Sequence, residues 1–381
     1  MQPVLTDLGF VCSLGTTPEE VILRLQKGKD SNFDMIESDV PNEKVPFFSV
    51  TIPDKHVMRC YSLLDAALNQ LAEKINSLKK QYYPERLGIV LGTSNTGIHE
   101  AQQQINIWMD SGKCPDDFSF EEIELGSPTL YVQKTIGFEG PCYTISTACS
   151  SSAKAFASAR RLLEEDICDA ILVGGVDSHC MFAQNGFFAL NALSLKKTQP
   201  FSEHRDGINL GEGAALFIMQ KTGSGIVLKG VGESSDGYDL THPDPSGHGA
   251  IQSMKLALKD ANLSTCQIDY INMHGTGTAA NDLMEGRAIY ELFGDKALCA
   301  STKALTGHTL GAAGAIEAAL SWFMLKHQFI IPHMPKSTID PTIPHIALAT
   351  GTEKRHLLNI LSNSFAFGGS NVSLIFGVND G

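Results

Sequence analysis

Cys149 stands in the segment TISTACSSS, where a strand turning into a helix would leave its thiol at the helix N-terminus. Free backbone amides and the positive end of the helix dipole favour a thiolate there. Its neighbours Ala148, Ser150, Ser151 and Ser152 are small enough to admit a substrate. Pattern alone leaves Cys149 evenly divided between a nucleophile and a buried thiol. His274, in INMHGTGT, ends an apolar run and opens a loop of Gly and Thr. An imidazole so placed can donate to a developing oxyanion, and it can equally be a strand-end histidine capped by its neighbours. Thr276 and Thr278 add two hydroxyls suited to an extended, amide-bearing arm.

His308 lies in STKALTGHTLGAAGAIE, with Lys303 a short loop upstream and Glu317 farther along. A Lys and a Glu buried together would need each other, although a lysine taken singly reads as an exposed loop residue. Near the C-terminus the segment NSFAFGGSN joins two aromatics to paired glycines. Gly368 and Gly369 permit unusual backbone angles and close approach of a ligand, so Phe365 and Phe367 read either as core or as a movable gate.

These residues need a frame. The apolar, β-branched run RLGIVLG over 86–92 predicts a strand, the segment 166–174 (DICDAILVG) ends in one, and 150–165 predicts a helix between them. Such alternation argues for α/β layers. An internal echo sharpens this: 144–164 and 299–325 each run strand, special residue, then a helix of small residues. In the first copy the strand is expected to reach Cys149 and SSSAKAFASARRLLE follows; in the second, His308 precedes TLGAAGAIEAALSWFML. The tails AILVGGVDS and SFAFGGSNVSLIFG each set a Gly pair beside a strand. A duplicated α/β unit follows, with a seam near 223–225, a half over 1–223 carrying Cys149 and a half over 224–381 carrying His274, Lys303 and His308. With no linker of low complexity between them, the halves are expected to share a continuous sheet system, with the active site between them.

Composition narrows the class. The chain has 381 residues, 43% of them hydrophobic, enough for a large core. No basic segment precedes an apolar run at the start, and no run approaches the roughly 18 to 20 apolar residues that cross a bilayer, so a cytoplasmic protein is expected. Nine cysteines without a CxxC pair or His cluster suggest neither a disulfide framework nor a zinc site. A formal charge of −13 disfavours nucleic acid as a partner.

In this order the segments resemble the beta-ketoacyl-acyl carrier protein synthases of the thiolase superfamily, in the elongating group with a Cys, His, His set. VLTDLGFVCSLGTTPEEV, PFSEHRDGINLGEGAALFIM, KDANLSTCQIDYINMHGTGT and NSFAFGGSNVSLIF extend the likeness over nearly the whole chain. The resemblance implies a thiolase-like fold of two duplicated mixed-sheet α/β halves in a layered αβαβα arrangement. It implies Cys149 as the acylated nucleophile, His274 and His308 as ligands of the malonyl thioester carbonyl, Lys303 as their support and Glu317 as a buried acid. By the same resemblance the amides of Cys149 and Phe367 form an oxyanion hole, Phe365 and Phe367 a gate, and Thr276 and Thr278 hold phosphopantetheine. The implied reaction is decarboxylative condensation of an acyl thioester with malonyl carrier protein, for fatty acid or related polyketide chain elongation. No metal and no resident cofactor are expected, since phosphopantetheine arrives on the acyl carrier protein. A homodimer is expected, or alternatively a heterodimer with a paralogous chain-length factor, in which this chain is the catalytic half and makes polyketide or polyene chains.

Three neighbouring classes fit less well. Thiolases carry a second catalytic cysteine in the terminal Gly-rich loop, which here reads Phe365-Ala366-Phe367-Gly368-Gly369. Synthases primed from acyl coenzyme A use Cys, His, Asn, against His308, and chain-length factors lack the nucleophile, against Cys149. Two departures from the pattern stand out: Ala366 where relatives commonly have Gly, which would stiffen the gate, and a shorter region over 30–58. Acidic carrier proteins call for a basic docking patch, for which Lys55, Arg59 and Arg205 are the candidates.

Overall fold

Leu87, Ile89 and Leu91 enter one buried apolar cluster, while Val90 between them enters another. Ala170 and Leu172 divide from Ile171 and Val173 in the same way. Successive side chains of a strand point to opposite faces, so a run that is apolar at every position must be covered on both sides. That requirement produces the layers of this fold.

The computed structural model describes residues 1–27, 31, 33–38, 43–116, 118–334 and 337–379. In the first half, β1 (Val4–Cys12), β2 (Leu87–Gly92), β3 (Cys142–Ile145), β4 (Ala170–Asp177) and β5 (Gly213–Gln220) lie in the order β3-β2-β4-β5-β1. In the second, β6 (Ile226–Ser235), β7 (Tyr270–Asn272), β8 (Leu298–Ala300), β9 (Asn359–Phe365) and β10 (Ser370–Val378) lie in the order β8-β7-β9-β10-β6. The two orders correspond strand for strand. So do the directions: β3-β2-β4 and β8-β7-β9 pair parallel, while β4-β5-β1 and β9-β10-β6 pair antiparallel. The halves join where Val4 and Leu5 of β1 pair with Val227 and Ile226 of β6, which makes one continuous sheet system.

Helix α1 (Arg59–Gln70) covers the outer face of the first half, and α3 (His248–Ala261) and α4 (Ala279–Phe293) cover that of the second. Between the sheets lie α2 (Ser151–Glu164) and α5 (Ala313–His327). This is the αβαβα layering that the resemblance implies. Every residue of α5 from Ala313 to Leu325 is buried, as a helix covered on all sides must be. Its small residues have a steric reason, because a Cβ on Gly314 would come within 2.8 Å of the Ala153 Cβ on α2. Of the atypical stretch 30–58, residues 30, 32 and 39–42 lie outside the described residues. What is described includes a strand over Val45–Phe48 that pairs with Leu210–Gly211, beside His308. Among the described residues no helix is long and apolar enough to cross a membrane.

Candidate active site

Strand β3 stops at Ile145, short of the expected end at Cys149. The reason is Ala148, whose φ of +52° is left-handed and breaks the extended run. Such a conformation costs a non-glycine residue about 1–2 kcal/mol. Hydroxyl groups hold it: the Thr147 N–H donates to Ser151 Oγ at 2.9 Å, and Ser151 and Ser150 donate to the carbonyls of Ala148 and Thr147 at 2.5 and 2.8 Å. The elbow sets Cys149 two residues before α2, facing a cavity of about 390 Å³. His274, His308, Thr276, Thr278, Phe365 and Phe367 share its wall.

The Cys149 Sγ and one ring nitrogen from each of His274 and His308 lie within 4.8 Å of one another, and the two imidazoles meet edge to face with centroids 5.4 Å apart. Both rings are anchored from behind. Leu310 N–H donates to His308 Nδ1 at 3.1 Å, and Lys303 Nζ stands 3.4 Å from His274 Nδ1 while also donating to the His274 carbonyl. A ring nitrogen that accepts must leave the proton on the other, so both neutral imidazoles are Nε2–H donors. Burial and the Lys303 charge hold both histidines well below the usual imidazole range, with His308 adding to the effect on His274. The same tautomers argue against metal ligation, since a ligating histidine points a lone pair at the metal and donates its other N–H backwards.

Burial pushes the Cys149 thiol up to about 11, against the Lys303 charge and the amides of Phe367 and Cys149 that pull it down. The thiolate expected from the helix terminus is therefore not the resting form. The Phe367 and Cys149 amides nevertheless converge on this sulfur from two different loops. Lys303 is 1% exposed and ion-paired with Glu317, which is 2% exposed and whose carboxyl sits above the ordinary range because burial outweighs the Lys303 attraction. Thr276 and Thr278 share a hydrogen bond of 2.9 Å, and Thr278 also caps α4. In the aromatic loop, Gly368 and Gly369 adopt φ of +80° and +73°, and the Phe367 ring packs on Phe187.

The N-terminal domain of beta-ketoacyl synthases matches residues 47–223 and the C-terminal domain matches residues 226–336. The chain belongs to the beta-ketoacyl synthase family. It is 30% identical to 3-oxoacyl-[acyl-carrier-protein] synthase 1 of Haemophilus influenzae, across 98% of each chain. The corresponding enzyme of Escherichia coli K12 is 29% identical, again across 98% of each. Among solved structures, the ketosynthase ApeO in complex with its chain length factor ApeC from Xenorhabdus doucetiae superposes with a TM-score of 0.92 at 36% identity, covering 99% of this chain and 98% of that one.

In this synthase two buried carboxylates on α4, Asp282 and Glu285, complete the site although sequence reading passes over them. Glu285 accepts the N–H groups of His274 and Gly275 at 2.8 and 2.7 Å, and burial raises it to about 7. Asp282 accepts Gly277 N–H at 3.2 Å and Phe201 N–H at 2.7 Å. Together they hold the HGTGT loop by its backbone. Their three-residue spacing, just after the Thr278 cap, is the one signal that marks them as neighbours on a helix face.

The basic docking patch needs correction. Arg59 is spent inside the synthase, bonded to Glu212 at 2.7 and 3.2 Å, to Asp54 at 2.5 Å and to the Val50 carbonyl at 2.6 Å. Arg205, with a side chain only 5% exposed, pairs with Asp340 at 2.6 Å and lies 3.8 Å from Asp282. Desolvated guanidinium groups require such partners, so neither is free to meet an acidic carrier. Only Lys55 of the three is exposed.

Proposed function

We propose that this synthase condenses an acyl group, held as a thioester on Cys149, with a malonyl-derived unit delivered on an acyl carrier protein. What supports the reading is one cavity in which a thiol, two imidazole N–H donors and two backbone amides converge. In the first step Cys149 sulfur attacks the acyl thioester of the carrier. The oxyanion sits between the amides of Cys149 and Phe367, the pantetheine thiol leaves, and the proton lost by Cys149 ends on that thiol.

Malonyl carrier protein enters next, with Thr276 and Thr278 hydrogen-bonding the pantetheine arm. The bond to the carboxylate breaks, carbon dioxide leaves, and the electron pair passes into an enolate whose oxygen accepts from His274 and His308 Nε2–H. Each such donor is worth about 3–4 kcal/mol. The enolate carbon attacks the acyl-Cys149 carbonyl, and collapse releases the 3-oxoacyl product and a Cys149 thiolate. With the buried thiol raised to about 11, that thiolate takes up a proton and resets the site. The reaction so written draws on no metal and no resident cofactor, and its free thiols suit it to the reducing cytosol.

A second reading places the chain beside a paralogous chain-length factor; it is favoured by the 36% identical ketosynthase ApeO, solved in complex with such a factor. Intact-mass analysis tests both. The protein alone and Cys149→Ala are mixed with a panel of acyl carrier proteins, then with malonyl carrier protein. An acyl adduct only when Cys149 is present, followed by a 3-oxoacyl carrier product, supports the first reading. An adduct that turns over only after a paralogous subunit is added supports the second. No adduct under either condition overturns the assignment of Cys149.

A further inference from the structure

His308 owes its donor tautomer to one backbone amide, that of Leu310, and Leu310 is held in an unfavourable conformation. Its φ is +49°, a left-handed value that a γ-branched side chain rarely adopts and that persists only where the surroundings impose it. What imposes it lies in the other half of the molecule. Asp177, at the end of β4 and 1% exposed, accepts the Ala312 N–H at 3.2 Å through Oδ2. The same oxygen accepts the Ser94 hydroxyl at 2.9 Å, and Ser94 Oγ in turn accepts the Gly311 N–H at 3.1 Å. Thr93 Oγ, Ser94 N–H and Asn95 N–H donate to the Asp177 carboxylate at 2.7–3.1 Å, which fixes it in place. The turn is also pressed home sterically, because a Cβ on Gly311 would come within 2.8 Å of Asp177 Oδ2 and 2.7 Å of Ser94 N.

We propose that Asp177 is a positioning residue for His308. Holding the amides of Gly311 and Ala312, directly and through Ser94, it locks the turn that aims the Leu310 N–H at His308 Nδ1. The proton of His308 is thereby kept on Nε2, where the proposed enolate needs it. Asp177 touches neither substrate nor imidazole, and it couples the end of β4 in the nucleophile half to the histidine of the other half. The inference rests on the condensing reaction proposed above only for its catalytic consequence. Its structural content, the tautomer of His308, stands apart from any activity.

The experiment compares the parent protein with Asp177→Asn and Ser94→Ala. Asp177→Asn replaces an all-acceptor group by one whose amide N–H₂ confronts incoming donors, and Ser94→Ala removes the hydroxyl that links Asp177 to Gly311 while keeping the direct Asp177–Ala312 contact. Each is read in three ways: acyl transfer to Cys149 by intact mass, decarboxylation of malonyl carrier protein, and the ring ¹⁵N signals of His308 in ¹⁵N-histidine-labelled protein, assigned with His308→Gln. Expected for Asp177→Asn is a fall of about 10- to 100-fold in decarboxylation, with acyl transfer within about threefold. Its two His308 ring nitrogen signals should converge as the tautomers begin to exchange. Ser94→Ala should move both readouts the same way and less far, and it decides the matter if Asp177→Asn does not fold. Equal losses in acyl transfer and decarboxylation, or an unchanged His308 tautomer in a folded variant, overturn the inference. A parent protein that shows neither half-reaction overturns the functional reading instead, and the ¹⁵N signals still decide the role of Asp177.

Discussion

The two halves of the molecule treat the same junction differently. In the first, residues 146–150 connect β3 to α2 through a single tight elbow at Ala148, and a sulfur is the result. In the second, residues 301–312 connect β8 to α5, and that longer path holds a helical turn over Lys303–Thr306 before it reaches His308. The added length brings in a cation, which pairs with Glu317 on α5, and a backbone donor behind the imidazole. Burial acts on the two halves with opposite sign: it raises the Cys149 thiol and lowers the two histidines, so all three rest neutral. In the proposed reaction one half thus forms and breaks the thioester, and the other donates hydrogen bonds without carrying charge.

The sharpest way to break that division is to remove each side's working group. Cys149→Ala should abolish the acyl adduct altogether. His274→Ala and His308→Ala should each leave the adduct within severalfold of the parent while slowing decarboxylation by about two to three orders of magnitude. Rapid-quench measurement of adduct and carbon dioxide separates the steps. A histidine variant that loses both steps equally would dissolve the distinction between the halves.

Next in size is the buried pair. Lys303→Met leaves Glu317 without its cation and should lower stability by about 3–5 kcal/mol, whereas Lys303→Met with Glu317→Gln should recover a large part of the loss. Denaturant midpoints of the two variants measure the difference, and equal midpoints would show that Lys303 acts alone. Because the Lys303 charge helps hold His274 and His308 down, both should titrate at higher pH in the double variant. Histidine NMR signals that titrate unchanged would remove Lys303 from the electrostatic account.

Much of this comparison is legible in the residues themselves. The Cys149 elbow, the HGTGT loop and the His308 segment announce themselves because glycines and small hydroxyl residues cluster where backbones must turn or approach closely. The carboxylates do not. Glu285 and Asp282 act on backbone amides of a loop that only the tertiary fold sets against α4, and Asp177 acts across the two halves on Ala312. Arg59 and Arg205 fail for a similar reason, since the buried Glu212 that holds Arg59 and the Asp340 that holds Arg205 lie far along the chain, and the nearby Asp54 does not by itself mark a guanidinium as already paired. Strand order is similarly out of reach: the echo of two segments argues for duplication, while the matching pairing directions emerge only in the assembled sheet.

The depressed histidines also make the second half acid-sensitive. Folded His308 resists protonation, while in the unfolded chain it protonates near pH 6.5, so the unfolded state binds more protons below that value. Stability should therefore fall as pH drops below about 6.5, by up to about 1.4 kcal/mol per pH unit for each such histidine. Glu285 opposes this, because its raised pKa of about 7 lets the folded state take up a proton first as the solution is acidified. The discriminating quantity is the difference between parent and His308→Gln, whose gap in unfolding free energy should change with that slope between about pH 6.5 and 5. A gap independent of pH would mean that His308 titrates normally.

The smallest effect concerns the aromatic loop, where the sequence predicts that Ala366 stiffens the gate. Its backbone is extended, with φ −105° and ψ 156°, a conformation open to any residue. Stiffness comes instead from hydrogen bonds: Ala366 N–H donates to the Ser370 carbonyl at 2.9 Å, Gly369 N–H to the Ala366 carbonyl at 3.0 Å, and Gly368 N–H to the Leu240 carbonyl at 2.8 Å. A glycine in place of Ala366 would keep all three, losing the buried methyl group and the restriction that it places on the unfolded chain. Ala366→Gly should therefore cost no more than about 1 kcal/mol in stability and change the rate of acyl transfer by less than about threefold. A larger change in acyl transfer would place control of the Phe367 amide in the Ala366 methyl, and would make this loop, rather than the Ala148 elbow, the element that governs the sulfur.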